Sequence, residues 1–129
     1  MTHIVIHDRE KGIVEARING PIDLNELTRI YAVIVQILKE NGSSLFCMDM
    51  REAEMNIATV DIFHLPRRLA EIAAREGCNP LLFRQAIVAT RNLKDHDFHV
   101  IAASNLGYTI ELFELFEEIE EAERWLLDK

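Results

Sequence analysis

Positive charge is in short supply in this chain. Its 129 residues carry 14 Lys and Arg against 22 Asp and Glu, a formal net charge of −8. Phosphate backbones and anionic membranes need a positive face, so nucleic acid and lipid surfaces are poor main partners. Cysteine is also scarce. Cys47 and Cys78 make no disulfide framework, and Cys47 sits in an apolar strand as a small hydrophobe. Long apolar runs are missing too, since the longest, Ile30 to Leu38, is interrupted by Gln36 and is far too short to span a bilayer. Met1-Thr2-His3 runs directly into a strand pattern where a charged-then-apolar leader would stand. A soluble protein of a reducing cytoplasm is expected.

The chemical signatures of several enzyme classes are absent as well. There is no Gly-rich phosphate loop, no Gly-x-Ser-x-Gly elbow and no Cys-x-x-Cys pair. The Glu-rich C-terminal part, Glu111 to Glu123, lacks the Asp/Asn/Gly spacing of a calcium loop and reads as the wet face of a last helix. Asp95-His96-Asp97-Phe98-His99 would put His96 and His99 on one helical face, with Asp95 as a further oxygen, but no third convergent ligand is visible. His3 and His7 share a strand face yet stand about 13 Å apart, too far for one ion. No metal and no cofactor is expected.

What is present is a regular alternation of strand and helix patterns over one domain, 1–129. His3 to His7 and Ile13 to Ile18 alternate about the polar turn Asp8 to Gly12, which predicts a hairpin. Asn19-Gly20-Pro21 is expected to end the second strand. Asp23 with Glu26 gives a capping-box start to a helix whose stripe is Leu24, Leu27, Tyr31, Ile34, Val35 and Leu38, ending at Asn41-Gly42. Ser44 to Met50 is apolar at consecutive positions, which predicts a strand covered on both faces, and Arg51 to Ala58 is expected to be a loop. A helix over Thr59 to Glu76 follows, with Ile62, Phe63, Leu65, Leu69, Ile72 and Ala73 inward and Pro66 marking either its start or a bend. Gln85 to Thr90 is a second doubly covered strand. A helix from Asp95 or Asp97 to Leu106, then Ile110 to Phe116 as a strand in preference to the first turns of one long helix, and a helix over Glu117 to Leu127 complete the order. The expected fold is α/β: a single-domain mixed sheet of about five strands with four helices, order β-β-α-β-α-β-α-β-α.

That order, together with Gly20-Pro21-Ile22-Asp23, the strand Leu45 to Arg51 ending in Asp-x-Arg, Ala86-Ile87-Val88-Ala89 and the closing run Phe116 to Leu126, resembles the SpoIIAA-like group of STAS-related bacterial domains. The resemblance covers nearly the whole chain. It implies a domain that regulates by docking. In the anti-sigma-factor antagonists of this group, a Ser or Thr at the start of the second helix, commonly after an Asp, is phosphorylated and breaks contact with a partner kinase. Here Ala58-Thr59-Val60-Asp61 stands at that corner. Thr59 is its only hydroxyl, Ala58 replaces the Asp, and no Gly follows.

The candidate surface is therefore Asp49, Arg51, Thr59, His64, Arg67 and Arg68. Asp49 and Arg51, placed at the carboxyl end of a central strand, could form an ion pair or anchor a ligand. Thr59 is an N-cap or a phosphoacceptor. Arg67 and Arg68, followed by Arg75, are the one compact basic feature of the second helix, set to pair with Glu71 or Glu76 or to dock an acidic partner or a phosphate; His64 is a boundary residue. The expected role is a non-catalytic regulatory domain with an unidentified protein partner and a homodimer as a further option, contacted over Arg51 to Arg75. A small-molecule or lipid-binding module is the alternative, its cavity lined by Phe63, Leu65, Phe83 and Phe98. An enzyme would need a convergent polar cluster of Asp49, Arg51 and a histidine.

Overall fold

The computed structural model describes residues 2–56, 58–79, 82–89 and 113–128. Five strands form one sheet in the order of the sequence: β1 (Thr2–Asp8), β2 (Ile13–Ile22), β3 (Leu45–Met55), β4 (Arg84–Val88) and β5 (Phe113–Phe116). β1 pairs antiparallel with β2, and every later pair is parallel. Three helices are described: α1 (Leu24–Asn41), α2 (Thr59–Arg75) and α3 (Ile119–Leu127). The helix expected over 95–106 lies outside the described residues.

Helix α1 begins as its sequence demands. Asp23 has extended backbone, and its carboxylate accepts the Glu26 N–H at 2.8 Å, satisfying one of the free donors of the first turn. It ends at Gly42, whose φ of 62° is the left-handed conformation a side chain would resist. Between these caps Leu27, Ile30, Tyr31, Ile34, Val35 and Leu38 are buried.

The two crossover helices lie on one face of the sheet. Val14, Ala16 and Ile18 of β2, Phe46 and Met48 of β3 and Ile87 of β4 meet α1 and the α2 residues Leu65, Leu69, Ile72 and Ala73 in the main core. Phe46 and Phe83 meet edge to face, with ring centroids 6.2 Å apart. Ile62 and Phe63, assigned to the same α2 stripe, have side chains outside the described set. Burial pushes the Tyr31 phenol up to about 12, although a hydrogen bond with the buried Gln85 pulls the other way. A neutral Tyr–Gln pair fits this dry core.

Among the described residues, the opposite face is covered by α3. Ile13, Cys47, Ala86 and Val88 pack there against Ala122 and Leu126. Arg84 holds the helix down: its guanidinium lies 4.3 Å from the Trp125 ring centre and donates to the carbonyls of Leu126 and Asp128. Trp125 also packs on Phe116, at 5.6 Å between ring centres. Strands β3 and β4 thus lie side by side inside the sheet, with a helix over each face.

Two expectations need correction. Asn19-Gly20-Pro21 does not end β2, which continues to Ile22 beside β3. Gly20 takes a φ of 83°, and Pro21 falls past the last β1 pairing, Thr2 with Asn19, where a missing N–H is tolerated. Nor does β3 end at Met50, since Arg51 to Met55 pair on along β2. The helix expected over Thr59 to Glu76 is observed as α2, Thr59–Arg75, which runs through Pro66.

Candidate functional site

Because β3 continues to Met55, Asp49 stands in mid-strand and not at its carboxyl end. It is nonetheless the last position at which β3 pairs with β4, opposite Val88. Beyond it the strand bulges. Arg17 pairs with Asp49 and Asn19 with Glu52, so Met50 and Arg51 together face the single residue Ile18. Met50 and Ala53 turn to the main core, while Arg51 turns back to Asp49 and Glu52 borders the same hollow as Asp49.

The pair so formed is bidentate. Arg51 donates from Nε to Oδ1 of Asp49 at 2.9 Å and from Nη2 to Oδ2 at 2.8 Å, and its backbone N–H reaches Oδ1 at 3.2 Å. Asp49's side chain is 11 % exposed and Arg51's 36 %. Burial by itself would raise the Asp49 carboxyl. The hydrogen bonds and charge of Arg51, with the charge of Arg17, outweigh that and hold it below its ordinary value. The Asp49 hydrogen bonds push Arg51 up in turn, with Glu118 and Glu120 at the start of α3 adding to the effect. A carboxylate engaged by three donors and held ionised is a weak base near neutrality.

On the adjacent strand, Arg17 Nε donates to Glu15 at 2.9 Å. Acidic and basic side chains therefore alternate across the part of the sheet that α3 leaves open: Glu15 and Arg17 on β2, Asp49, Arg51 and Glu52 on β3. A hollow of about 300 Å³ lies among them, lined by His3, Ile4, Arg17, Ile18, Asn19, Asp49 and Glu52. Arg17, Glu15 and Glu52 are the members that sequence reasoning missed. Alternation had placed Glu15 and Arg17 on one face of their strand, but nothing in the sequence paired that face with Asp49.

The remaining candidates lie elsewhere. α2 packs on the face opposite Asp49 and Arg51, so the surface expected to run from Arg51 to Arg75 is divided by the sheet. Along α2 the exposed positions Val60, His64, Arg67 and Glu71 share one helical face, with Arg68 half-buried beside it. Thr59 is not the N-cap: Ala58 is, without a side-chain hydrogen bond, and Thr59 is the first helical residue. Burial, with the charges of Glu15, Asp49 and Glu123, pushes the Cys47 thiol up to about 12, which keeps it an unreactive hydrophobe. Leu65 and Phe83 fill the main core, 1 % and 5 % exposed, and lend no support to an apolar ligand cavity; Phe98 lies outside the described residues, as do His96 and His99. Among the described residues no group of three His, Cys, Asp or Glu could hold a metal, and no helix is long and apolar enough to cross a membrane.

An antiparallel first pair, parallel strands after it, two helices on one face and a short last helix on the other together define a SpoIIAA-like, that is STAS-like, fold. Solved structures of this fold match the chain over nearly its whole length. An anti-sigma factor antagonist from Mycobacterium paratuberculosis aligns with a TM-score of 0.59 and 13% identity, over 98% of this chain and 96% of its own. An uncharacterized DUF3478-family protein with a SpoIIAA-like fold from Shewanella loihica PV-4 gives 0.58 and 16%, over 96% and 93%. The anti-sigma factor antagonist SpoIIAA in its unphosphorylated form gives 0.52 and 13%, over 94% of each chain. At these identities the likeness is one of fold. No family model matches the sequence, and no curated protein does.

Proposed function

We propose that this chain is a non-catalytic regulatory domain that acts by docking a protein partner in the cytoplasm. The observation that carries this reading is the end-to-end likeness to two anti-sigma factor antagonists, a likeness of fold that lends the role by analogy. The charge pattern supports it. Asp49 and Arg51 are already neutralised by each other and ringed by Glu15, Arg17 and Glu52, an arrangement suited to reading a complementary polar surface more than to moving protons. On the far side of the sheet, the α2 face with His64, Arg67 and Arg68 offers a second contact region beside Thr59. Thr59, in the first turn of α2, is the residue a kinase would modify; phosphate at a helix start is electrostatically favourable, though Asp61 opposes it.

Two sets of substitutions separate the surfaces. Tagged protein is used to capture partners from its native cell extract, beside Arg51→Glu and an Arg67→Glu/Arg68→Glu double variant. Capture of one protein by the parent chain, lost in either variant while both keep their circular dichroism, is the expected result. Equal capture by all three, or none by the parent, would remove the docking role from these residues.

A further inference from the structure

Strand β1 is the terminal strand of the sheet, and among the described residues nothing pairs with its outer edge. It is an unusual edge. Its register against β2 is unbroken from Thr2 to Asp8, so it carries no bulge, and it contains no proline and no lysine. These are the devices by which sheet edges are ordinarily shielded from pairing with another chain. Two of the molecule's exposed large hydrophobic side chains also belong to it: Ile4 is 58 % exposed and Ile6 43 %. They stand on the open face beside Arg17 and Glu15, their direct partners on β2. Val5, between them, points the other way and packs partly on the main core.

The order of these residues is the same in both directions. His3-Ile4-Val5-Ile6-His7 reads identically from either end. An antiparallel strand laid against β1 with Val5 at the two-fold axis would set Ile4 against Ile6, and His3 against His7, of a second copy. Such an isologous contact is self-complementary by construction. The charges agree with it. Each row across the joined sheets would run Arg17, Ile4, then Ile6 and Glu15 of the second copy, with an apolar middle and opposite charges about 14 Å apart at its ends. A foreign strand would have no reason to match a palindrome.

We infer that two copies of this chain associate by antiparallel pairing of β1 with β1 about Val5, joining two five-stranded sheets into one of ten. The four isoleucines form the apolar centre of the contact on the open face. This pairing borders the open-face surface proposed above, sharing His3, Ile4, Glu15 and Arg17 with it, but it is argued from the edge of β1 and does not rest on that reading.

Sedimentation equilibrium over roughly 1 to 300 μM tests it on the full chain. The parent should show a species of twice the chain mass. Ile4→Lys/Ile6→Lys sets like charges opposite one another across the axis and should weaken association on the order of 100-fold. Ile4→Glu/Ile6→Lys sets each acid against a base of the second copy in this register alone, and also beside Arg17 and Glu15 within its own chain, so it should still associate. Circular dichroism identifies a variant that has failed to fold. A parent that stays monomeric throughout would overturn the inference. So would a dimer indifferent to the double lysine variant, or a folded Ile4→Glu/Ile6→Lys protein as monomeric as the double lysine one.

Discussion

The two faces of the sheet are built differently. Beneath α1 and α2 the inward side chains of β2, β3 and β4 are apolar apart from Gln85, which is hydrogen-bonded to Tyr31, and side chains as large as Phe46 and Tyr31 are shut off from water. Beneath α3 the cover is a helix of nine residues, which reaches Ile13, Cys47, Ala86 and Val88 but not β1, the rest of β2 or the far end of β3. There the same strands carry Glu15, Arg17, Asp49, Arg51 and Glu52. One face holds the fold together; on the other, among the described residues, only the part beneath α3 does so and the rest carries charge. Conserving a closed face while varying an open one would let a single scaffold serve different partners.

This contrast can be broken by substitution. The largest loss is expected beneath α1 and α2. Phe46→Ala removes a fully buried ring and its edge-on contact with Phe83, and should destabilise by about 4 kcal/mol in urea unfolding. Leu126→Ala, on the α3 side, should cost about 2–3 kcal/mol, because a single short helix can settle into the space. A loss as large as that of Phe46→Ala would mean that the α3 face is as tightly built as the other.

On the open part of the sheet, Arg51→Ala leaves the mostly buried Asp49 carboxylate without its guanidinium, and should cost about 2 kcal/mol at neutral pH, less than a fully buried pair because Arg51 is partly exposed. The sign with pH follows from Asp49. Its folded value lies below its unfolded one, so the pair's contribution is complete above the ordinary carboxylate range and is lost as pH falls through the folded value. The difference between parent and Arg51→Ala should therefore shrink on acidification toward about pH 3; a constant difference would assign the loss to packing alone. Smallest is Asp23→Ala, which removes the α1 cap and should cost about 1 kcal/mol by the same unfolding measurement.

Much of the closed face was legible in the sequence. The α1 stripe, its Asp23 cap and its Gly42 end follow from local rules that need no neighbour, and the unbroken apolar runs at Leu45–Met48 and Ala86–Ala89 announce strands covered twice. The open face was not legible, for physical reasons. Arg51-Glu52-Ala53-Glu54 has no apolar alternation, since that end of β3 pairs with β2 past the reach of β4 and α3, so it reads as loop. Alternation showed that Ile4 and Ile6 share a side of β1 but not that this side is the uncovered one, which depends on where α3 ends. Thr59 looked like a cap because hydroxyl residues favour that position, yet the helix starts one residue sooner than that role requires, with Ala58 in the extended conformation.

The additional residue in β3 acts as a phase slip. Up to Asp49 the odd-numbered side chains point away from α1 and α2; after the slip Ala53, also odd, points toward them. A chain lacking Arg51 would lose the slip and return to plain alternation, with Met50 alone facing Ile18, Glu52 still outward and Ala53 still inward, and would lose the Asp49–Arg51 pair. Sequences that share this architecture should therefore tolerate loss of one residue at the slip far better than a one-residue deletion elsewhere in β3, which would turn inward side chains outward.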